Sequence, residues 1–261
     1  MSKQKLGHTL LALTEVSPLA DDTKRPTIVL FDLDGTLVHH VNPRVLQALE
    51  FLDDCSHRTG RLVARFRLHR RHMAMETRKA PNLLVHRAIH KVRRKSVEEM
   101  LVPCDTMRNV LEKLHSEGVT LGVVSNGLGR GYGHDVLEAF DLRKYFSTCV
   151  FREDVARGKP WPDSIITALN GIGRDLRRSD EIWYIGDQRK DIGAALAASR
   201  EVGRSIRSFA LGARAALCSE PALQPSQIMW TASDFERTIA SLFPRQEQLR
   251  PLGYTVPAAL L

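Results

Sequence analysis

The chain is predicted to fold as α/β, a parallel sheet with helices on both faces. Three observations predict it. Apolar runs of strand length recur from residue 27 onward, helical patterns alternate with them, and polar clusters with reactive side chains follow directly on several runs. The first run, 27–31, carries Ile28, Val29, Leu30 and Phe31 and reads as a buried strand. A helical stretch follows. Asn42-Pro43 puts proline in a first turn, and Val45, Leu46, Leu49 and Leu52 fall at helical spacing. That style continues to about Pro103 with no convincing strand. The alternation then resumes. Helix is expected over 105–117, closed by Gly118, with strand over 119–124; helix over 133–140 with strand over 147–151. Helix over 162–169 precedes strand over 182–185, helix over 192–200 precedes strand over 206–211, and a last helix covers 233–242. The helical block interrupts this order after the first strand, which makes it a candidate insertion. The expected organisation is an N-terminal extension (1–24), a core domain (25–37 and 104–261) and an inserted all-α cap domain (38–103).

Bulk properties bound the class. The chain has 261 residues, 43% hydrophobic and 26% charged, enough for one large domain or a core with a small insertion. No apolar run approaches a membrane span. Leu10-Leu11-Ala12-Leu13 is too short for the apolar core of a signal peptide, so a cytoplasmic protein is expected. Cys55, Cys104, Cys149 and Cys218 stand far apart, make no paired zinc or redox motif, and are expected to be mostly buried free thiols.

The net charge of +8 is unevenly spread. Between His57 and Lys95 stand 13 Lys or Arg against one acid, Glu76, so the rest of the chain is mildly acidic. Arg58, Arg61 and Arg65 share one helical face, and His86, His90 and Arg94 another, with Leu62, Phe66, Leu84, Ala88 and Val92 opposite. Three readings fit: a solvated basic face, steering of an anionic phosphorylated substrate, or attachment to nucleic acid or acidic protein. Phe66 is the lone aromatic there, which argues against base stacking on single strands. His69 with His72, and His86 with His90, have the spacing of half a zinc site. No cysteine completes either pair, and the cationic neighbours would repel a metal ion.

The chemistry sits at strand ends, where open parallel sheets bind ligands. After the first strand comes Asp32-Leu33-Asp34-Gly35-Thr36. Two carboxylates one residue apart can share a small site, one attacking while the other handles the proton, with a divalent cation bridging them. Such a pair suits phosphoryl transfer. After the 119–124 strand comes Ser125-Asn126-Gly127, a hydroxyl and an amide that can donate to phosphate oxygens. Gly158-Lys159-Pro160-Trp161-Pro162-Asp163 holds one lysine in a stiff loop, and Asp163 reads as a cap for the next helix. Gly186-Asp187-Gln188-Arg189-Lys190-Asp191 adds two carboxylates, which could also merely cap a helix. The run Gly127-x-Gly129-x-Gly131-x-Gly133 has the wrong spacing for a dinucleotide loop and reads as a mobile connection or a flexible phosphate-side loop.

In this order the four pieces resemble the four motifs of the haloacid dehalogenase superfamily of phosphohydrolases. Asp32-Leu33-Asp34-Gly35-Thr36 matches the first, Ser125 the second, Lys159 the third, and Asp187 with Asp191 the fourth. The resemblance covers about 27–211, and the Lys-Pro-x-Pro-Asp run with the helical insertion resembles its phosphoglycolate phosphatase-like branch. It implies a Rossmann-like core with a helical cap and a Mg²⁺-dependent phosphatase for a small phosphomonoester. Asp32 would be the nucleophile and Asp34 the general acid and base. Mg²⁺ would be held by Asp32, the Asp34 carbonyl, Asp187 and Asp191, an oxygen-only set suited to a hard cation. Ser125, Asn126 and Lys159 would bind the phosphate. His39-His40 depart from the Asp-Ser that often follows the first motif, and would face the cap hinge and substrate. Gln188 replaces a small hydroxyl residue, and Ser199-Arg200 replace an Ala-Gly. Two alternatives remain: a phosphomutase of the same fold, or a non-catalytic scaffold binding nucleic acid through the basic cap. Halide displacement is disfavoured, because it does not require the acid/base group at Asp34.

Overall fold

The computed structural model describes residues 24–41, 96–219 and 223–244. The helix expected from Asn42-Pro43, the basic faces, the histidine pairs, Cys55 and nearly all of the N-terminal extension lie outside the described residues.

Apolar runs flanked by polar turns make the central sheet. Its strands are β1 (Ile28–Phe31), β4 (Thr120–Val124), β5 (Thr148–Val150), β6 (Ile182–Gly186), β7 (Ile206–Leu211) and β8 (Ile228–Met229). They lie in the order β5-β4-β1-β6-β7-β8, every pair parallel. Alternation in β1 builds two cores. Val29 and Phe31 point to one face with Met107, Leu111, Val136 and Phe235. Ile28 and Leu30 point to the other with Ile165, Ala168, Ala194 and Ala198. The first core takes helices α1 (Asp105–Ser116), α2 (His134–Ala139) and α6 (Ala232–Leu242). The second takes α3 (Asp163–Asn170) and α4 (Arg189–Val202). The α/β sheet with helices on both faces is therefore the fold observed, with a further helix, α5 (Gly212–Ser219), after β7.

Two features depart from the expectation. The ends of the 38–103 block are strand rather than helix. β2 (Val38–His40) pairs antiparallel with β3 (Leu101–Pro103), matching Val38 to Pro103 and His40 to Leu101. Residues 38–40 and 101–103, 61 positions apart at their closest, thus lie side by side. Helix α4 starts at Arg189, earlier than the apolar pattern indicates, because the Asp191 carboxylate accepts a hydrogen bond from the Gln188 N–H (3.0 Å) and caps its first turn. Cys104 and Cys149 are half-buried and Cys218 is exposed, all as free thiols, so burial of these cysteines is only partial. No helix among the described residues is long and apolar enough to cross a membrane.

Trp183 ties β6 to β7 and α6. It is fully buried, with its ring centroid 4.5 Å from that of Phe209 and 6.4 Å from that of Phe235. Truncating so large a core aromatic leaves a cavity the surroundings only partly fill. Trp183→Ala should cost about 3–5 kcal/mol in urea denaturation. A loss under about 1 kcal/mol, the range of a surface substitution, would show that this cluster does not hold the sheet to α6.

Candidate active site

The turn after β1 folds back on itself at once. The Asp32 N–H still donates to the Ile185 carbonyl (2.9 Å), so Asp32 is fixed as an extension of the sheet. Gly35 then takes φ +89°, and its N–H donates to the Val38 carbonyl (2.7 Å), which closes a tight loop. A Cβ at Gly35 would lie 2.3 Å from Asp187 Oδ2. Only bare backbone lets the loop after β6 approach the loop after β1 this closely.

Lys159 sits at the centre of the site. Its side chain is fully buried; its ammonium donates to Asp32 Oδ1, the Val124 carbonyl (3.0 Å) and the Tyr184 hydroxyl (3.2 Å), and forms an ion pair with Asp191 Oδ1 (2.6 Å). Burial works against this ammonium, but Asp191 and Asp32 outweigh it and hold its pKa well above the usual lysine value. Asn126 positions the lysine. Its Oδ1 accepts from the Lys159 N–H (2.8 Å), and its Nδ2 donates to the Lys159 carbonyl (3.0 Å). The Asn126 side-chain amide is thus hydrogen-bonded to the backbone of Lys159 on both its oxygen and its nitrogen. Asp163 is the first residue of α3, but the helix start has no side-chain capping hydrogen bond, and the Asp163 carboxylate pairs with Arg157 (2.8 Å) instead.

Asp32, Asp187 and Asp191 each place a carboxylate oxygen within 4.8 Å of the others. Burial, opposed by Lys159 but reinforced by Asp191 and Asp187, pushes the Asp32 carboxyl well above the usual carboxylate range. Burial and Asp191 likewise raise Asp187 to about 7, with Lys159 and Lys190 opposing. Among the described residues, the cations therefore leave the cluster short of positive charge. Asp187 Oδ1 is also buried without a hydrogen-bond partner among the described residues. A buried, unpaired carboxylate oxygen beside a second carboxylate is a fitting donor for a hard divalent cation. Asp191 is less available, because Oδ1 serves Lys159 and the Tyr184 hydroxyl (3.1 Å) while Oδ2 caps α4. The helix-cap reading of Asp191 is what the hydrogen bonds show, and one of its oxygens lies in the carboxylate cluster.

Ser125 Oγ faces Asp34 Oδ2 at 3.5 Å and accepts from the Gly127 N–H (2.9 Å). On the other side of Asp34, Oδ1 accepts from the Tyr132 hydroxyl, and His40 Nε2 lies 3.3 Å away. Tyr132 comes from the glycine run, whose backbone is hydrogen-bonded to a neighbouring loop. The backbone N–H groups of Gly129 and Arg130 donate to the Glu153 carboxylate (3.0 and 2.9 Å). A Cβ at Gly133 would lie 2.1 Å from the Phe151 ring and one at Gly129 2.7 Å, so glycine lets the run lie flat on that ring. Beside Asp187 opens a cavity of about 300 Å³, lined in part by His39, Arg214 and Trp230.

The structure thus brings Asp32, Asp34, Ser125, Lys159, Asp187 and Asp191 into one neighbourhood. Sequence reading passes over Tyr184, which looks like one more buried strand residue, and Tyr132, hidden among glycines. It reaches His40 only as a departure from a motif.

The haloacid dehalogenase-like hydrolase family model matches residues 29–203, more than half of the chain. The chain is 33% identical over 101 residues to the phosphoglycolate phosphatase of Salmonella typhimurium, covering 39% of this chain and 38% of that protein. It is 34% identical over 90 residues to the phosphoglycolate phosphatase of Escherichia coli K12, covering 34% of each. The match thus spans little more than a third of these relatives. A haloacid dehalogenase-superfamily hydrolase from Ehrlichia chaffeensis has a similar fold, with a TM-score of 0.53 at 18% identity over 85% of this chain and 99% of that one. The chain belongs to the haloacid dehalogenase-like hydrolases.

Proposed function

We propose that this chain is a Mg²⁺-dependent phosphatase that hydrolyses a small phosphomonoester through an aspartyl-phosphate on Asp32. One observation carries the reading: a buried lysine is shared between Asp32 and Asp191, with the unpaired Asp187 oxygen beside them. Three carboxylates share one ammonium there, an excess of negative charge that a divalent cation would offset.

The Asp32 carboxylate attacks phosphorus, and the P–O bond to the leaving alcohol breaks while Asp34 protonates the departing oxygen. Asp34 then takes a proton from water, whose oxygen attacks phosphorus of the aspartyl-phosphate. Inorganic phosphate leaves and the Asp32 carboxylate is regenerated. Lys159 neutralises charge on the transferred oxygens, and Ser125 offers its hydroxyl to one of them. Mg²⁺, held by Asp32, Asp187 and the Asp34 carbonyl with Asp191 close by, would supply the remaining positive charge. The cavity beside Asp187 has room for a small leaving group, in line with relatives named for phosphoglycolate. We assign 38–103 to a cap over this site; the pairing of β2 with β3 supports it, because both ends of the block meet next to Asp34.

Release of p-nitrophenol from p-nitrophenyl phosphate should require Mg²⁺. Asp32→Asn should reduce it to background with the fold retained, and Asp34→Asn should slow turnover about 10²–10⁴-fold. Substantial turnover by Asp32→Asn would remove Asp32 as nucleophile.

Stability should respond to pH in a defined direction. Asp187 at about 7 keeps a proton in the metal-free native state that the unfolded chain releases near 3.8, and Asp32 shifts the same way. The native state therefore binds more protons than the unfolded one over this window, and stability falls as pH rises. The thermal midpoint of the metal-free chain should drop between about pH 5 and pH 8, and MgCl₂ should raise it more at the higher pH. A metal-free midpoint that climbs over this range would show that Asp187 and Asp32 are not held protonated.

A further inference from the structure

We propose that Tyr132, backed by His40, positions the Asp34 carboxyl, and so determines that this site can cleave phosphate esters of weakly acidic alcohols. The inference rests on the phosphatase reading and goes beyond it. Neither side chain belongs to the motif residues of the site, and each comes from a separate element.

The geometry is a donor chain. The Tyr132 hydroxyl donates to Asp34 Oδ1, and His40 Nε2 lies 2.8 Å from the Tyr132 oxygen and 3.3 Å from Asp34 Oδ1. With the phenolic proton directed at Asp34, the phenolic oxygen accepts from a protonated Nε2 of His40. The His40 and Tyr132 rings stack at 6.2 Å with 20° between planes, which fixes both partners. A carboxyl group on a short side chain turns about two torsions, and anchoring Oδ1 removes that freedom. Oδ2 is then the oxygen facing Ser125, on the side where the phosphoryl group is proposed to sit.

The surroundings are built to deliver this hydroxyl. Tyr132 is only 4% exposed, and its ring lies 3.3 Å from where a Cβ would stand at Gly127. The run that carries it is pinned by Glu153 and laid on Phe151. Packing alone would be satisfied by phenylalanine. The hydroxyl has its use at Asp34.

The consequence is chemical. A sugar or hydroxy-acid alcohol needs a proton as its bond to phosphorus breaks, whereas p-nitrophenolate leaves without one. The value of kcat/KM covers the steps through leaving-group departure, so it reports this proton and not the later attack of water. The experiment compares full-length wild type, Tyr132→Phe and His40→Asn with Mg²⁺. The substrates are p-nitrophenyl phosphate and the best alkyl ester of a panel containing 2-phosphoglycolate and sugar phosphates. The ratio of kcat/KM on the alkyl ester to that on p-nitrophenyl phosphate should fall by about 10²-fold in Tyr132→Phe, and in the same direction in His40→Asn. Equal losses on both esters, or an unchanged ratio, would overturn the positioning role and leave the phosphatase reading intact. A wild type that cleaves p-nitrophenyl phosphate but no alkyl ester would also overturn it. Silence of the wild type on every ester would sink the parent reading as well. Should Tyr132→Phe fail to fold, His40→Asn decides by the same ratio.

Discussion

Like charges that converge must be compensated, and that constraint organises this molecule. Two carboxylates 4 Å apart repel by about 4 kcal/mol at an effective dielectric near 20. Here three carboxylates offer oxygens within 4.8 Å of one another, largely away from water. Lys159 supplies one positive charge to Asp32 and Asp191, and leaves Asp187 Oδ1 without a hydrogen-bond partner among the described residues. Removing the lysine would bury uncompensated charge, an error that costs several kcal/mol in proteins. The proposed divalent cation is a second way of relieving the same imbalance.

The fold meets this constraint by bringing loops together from strands far apart in sequence. All six strands of the sheet run parallel, so the loops after β1, β4 and β6 emerge on one edge. Small local devices then set the last ångströms. Gly35 removes the side chain that would collide with Asp187. Asn126 clasps the backbone of Lys159 across loops, so the lysine is held at its base as well as its tip. Asp191 serves the ammonium and the first turn of α4 together, which links the charge cluster to the helix that follows it. The acid/base candidate, Asp34, stands slightly apart, facing Ser125 on one side and Tyr132 with His40 on the other.

Much of this was legible in the residues, for identifiable reasons. The strands β1, β4, β6 and β7 are apolar runs long enough to read, and each reactive cluster follows one of the runs or a neighbouring loop. Asp32, Asp34, Lys159 and Asp187 announce themselves because charged groups beside buried strands need a reason. The strands β2 and β3 escape because three residues carry no measurable period, and β8 has only two. Tyr184 escapes because a tyrosine inside a strand looks like core until its hydroxyl is seen on Lys159 and Asp191. Tyr132 escapes for the opposite reason: four glycines around it read as freedom, and only Phe151 and Glu153 show that the run is laid down and pinned. The tie from Asn126 to the backbone of Lys159 escapes because its two ends lie 33 residues apart in sequence.

The charge argument is tested most directly by calorimetric titration of Mg²⁺ into the metal-free full-length chain and into Asp187→Asn. The account predicts one saturable cation per chain in the wild type and none in the variant. A wild type that takes up no Mg²⁺, or an Asp187→Asn chain that binds it as well as the wild type does, would contradict the account.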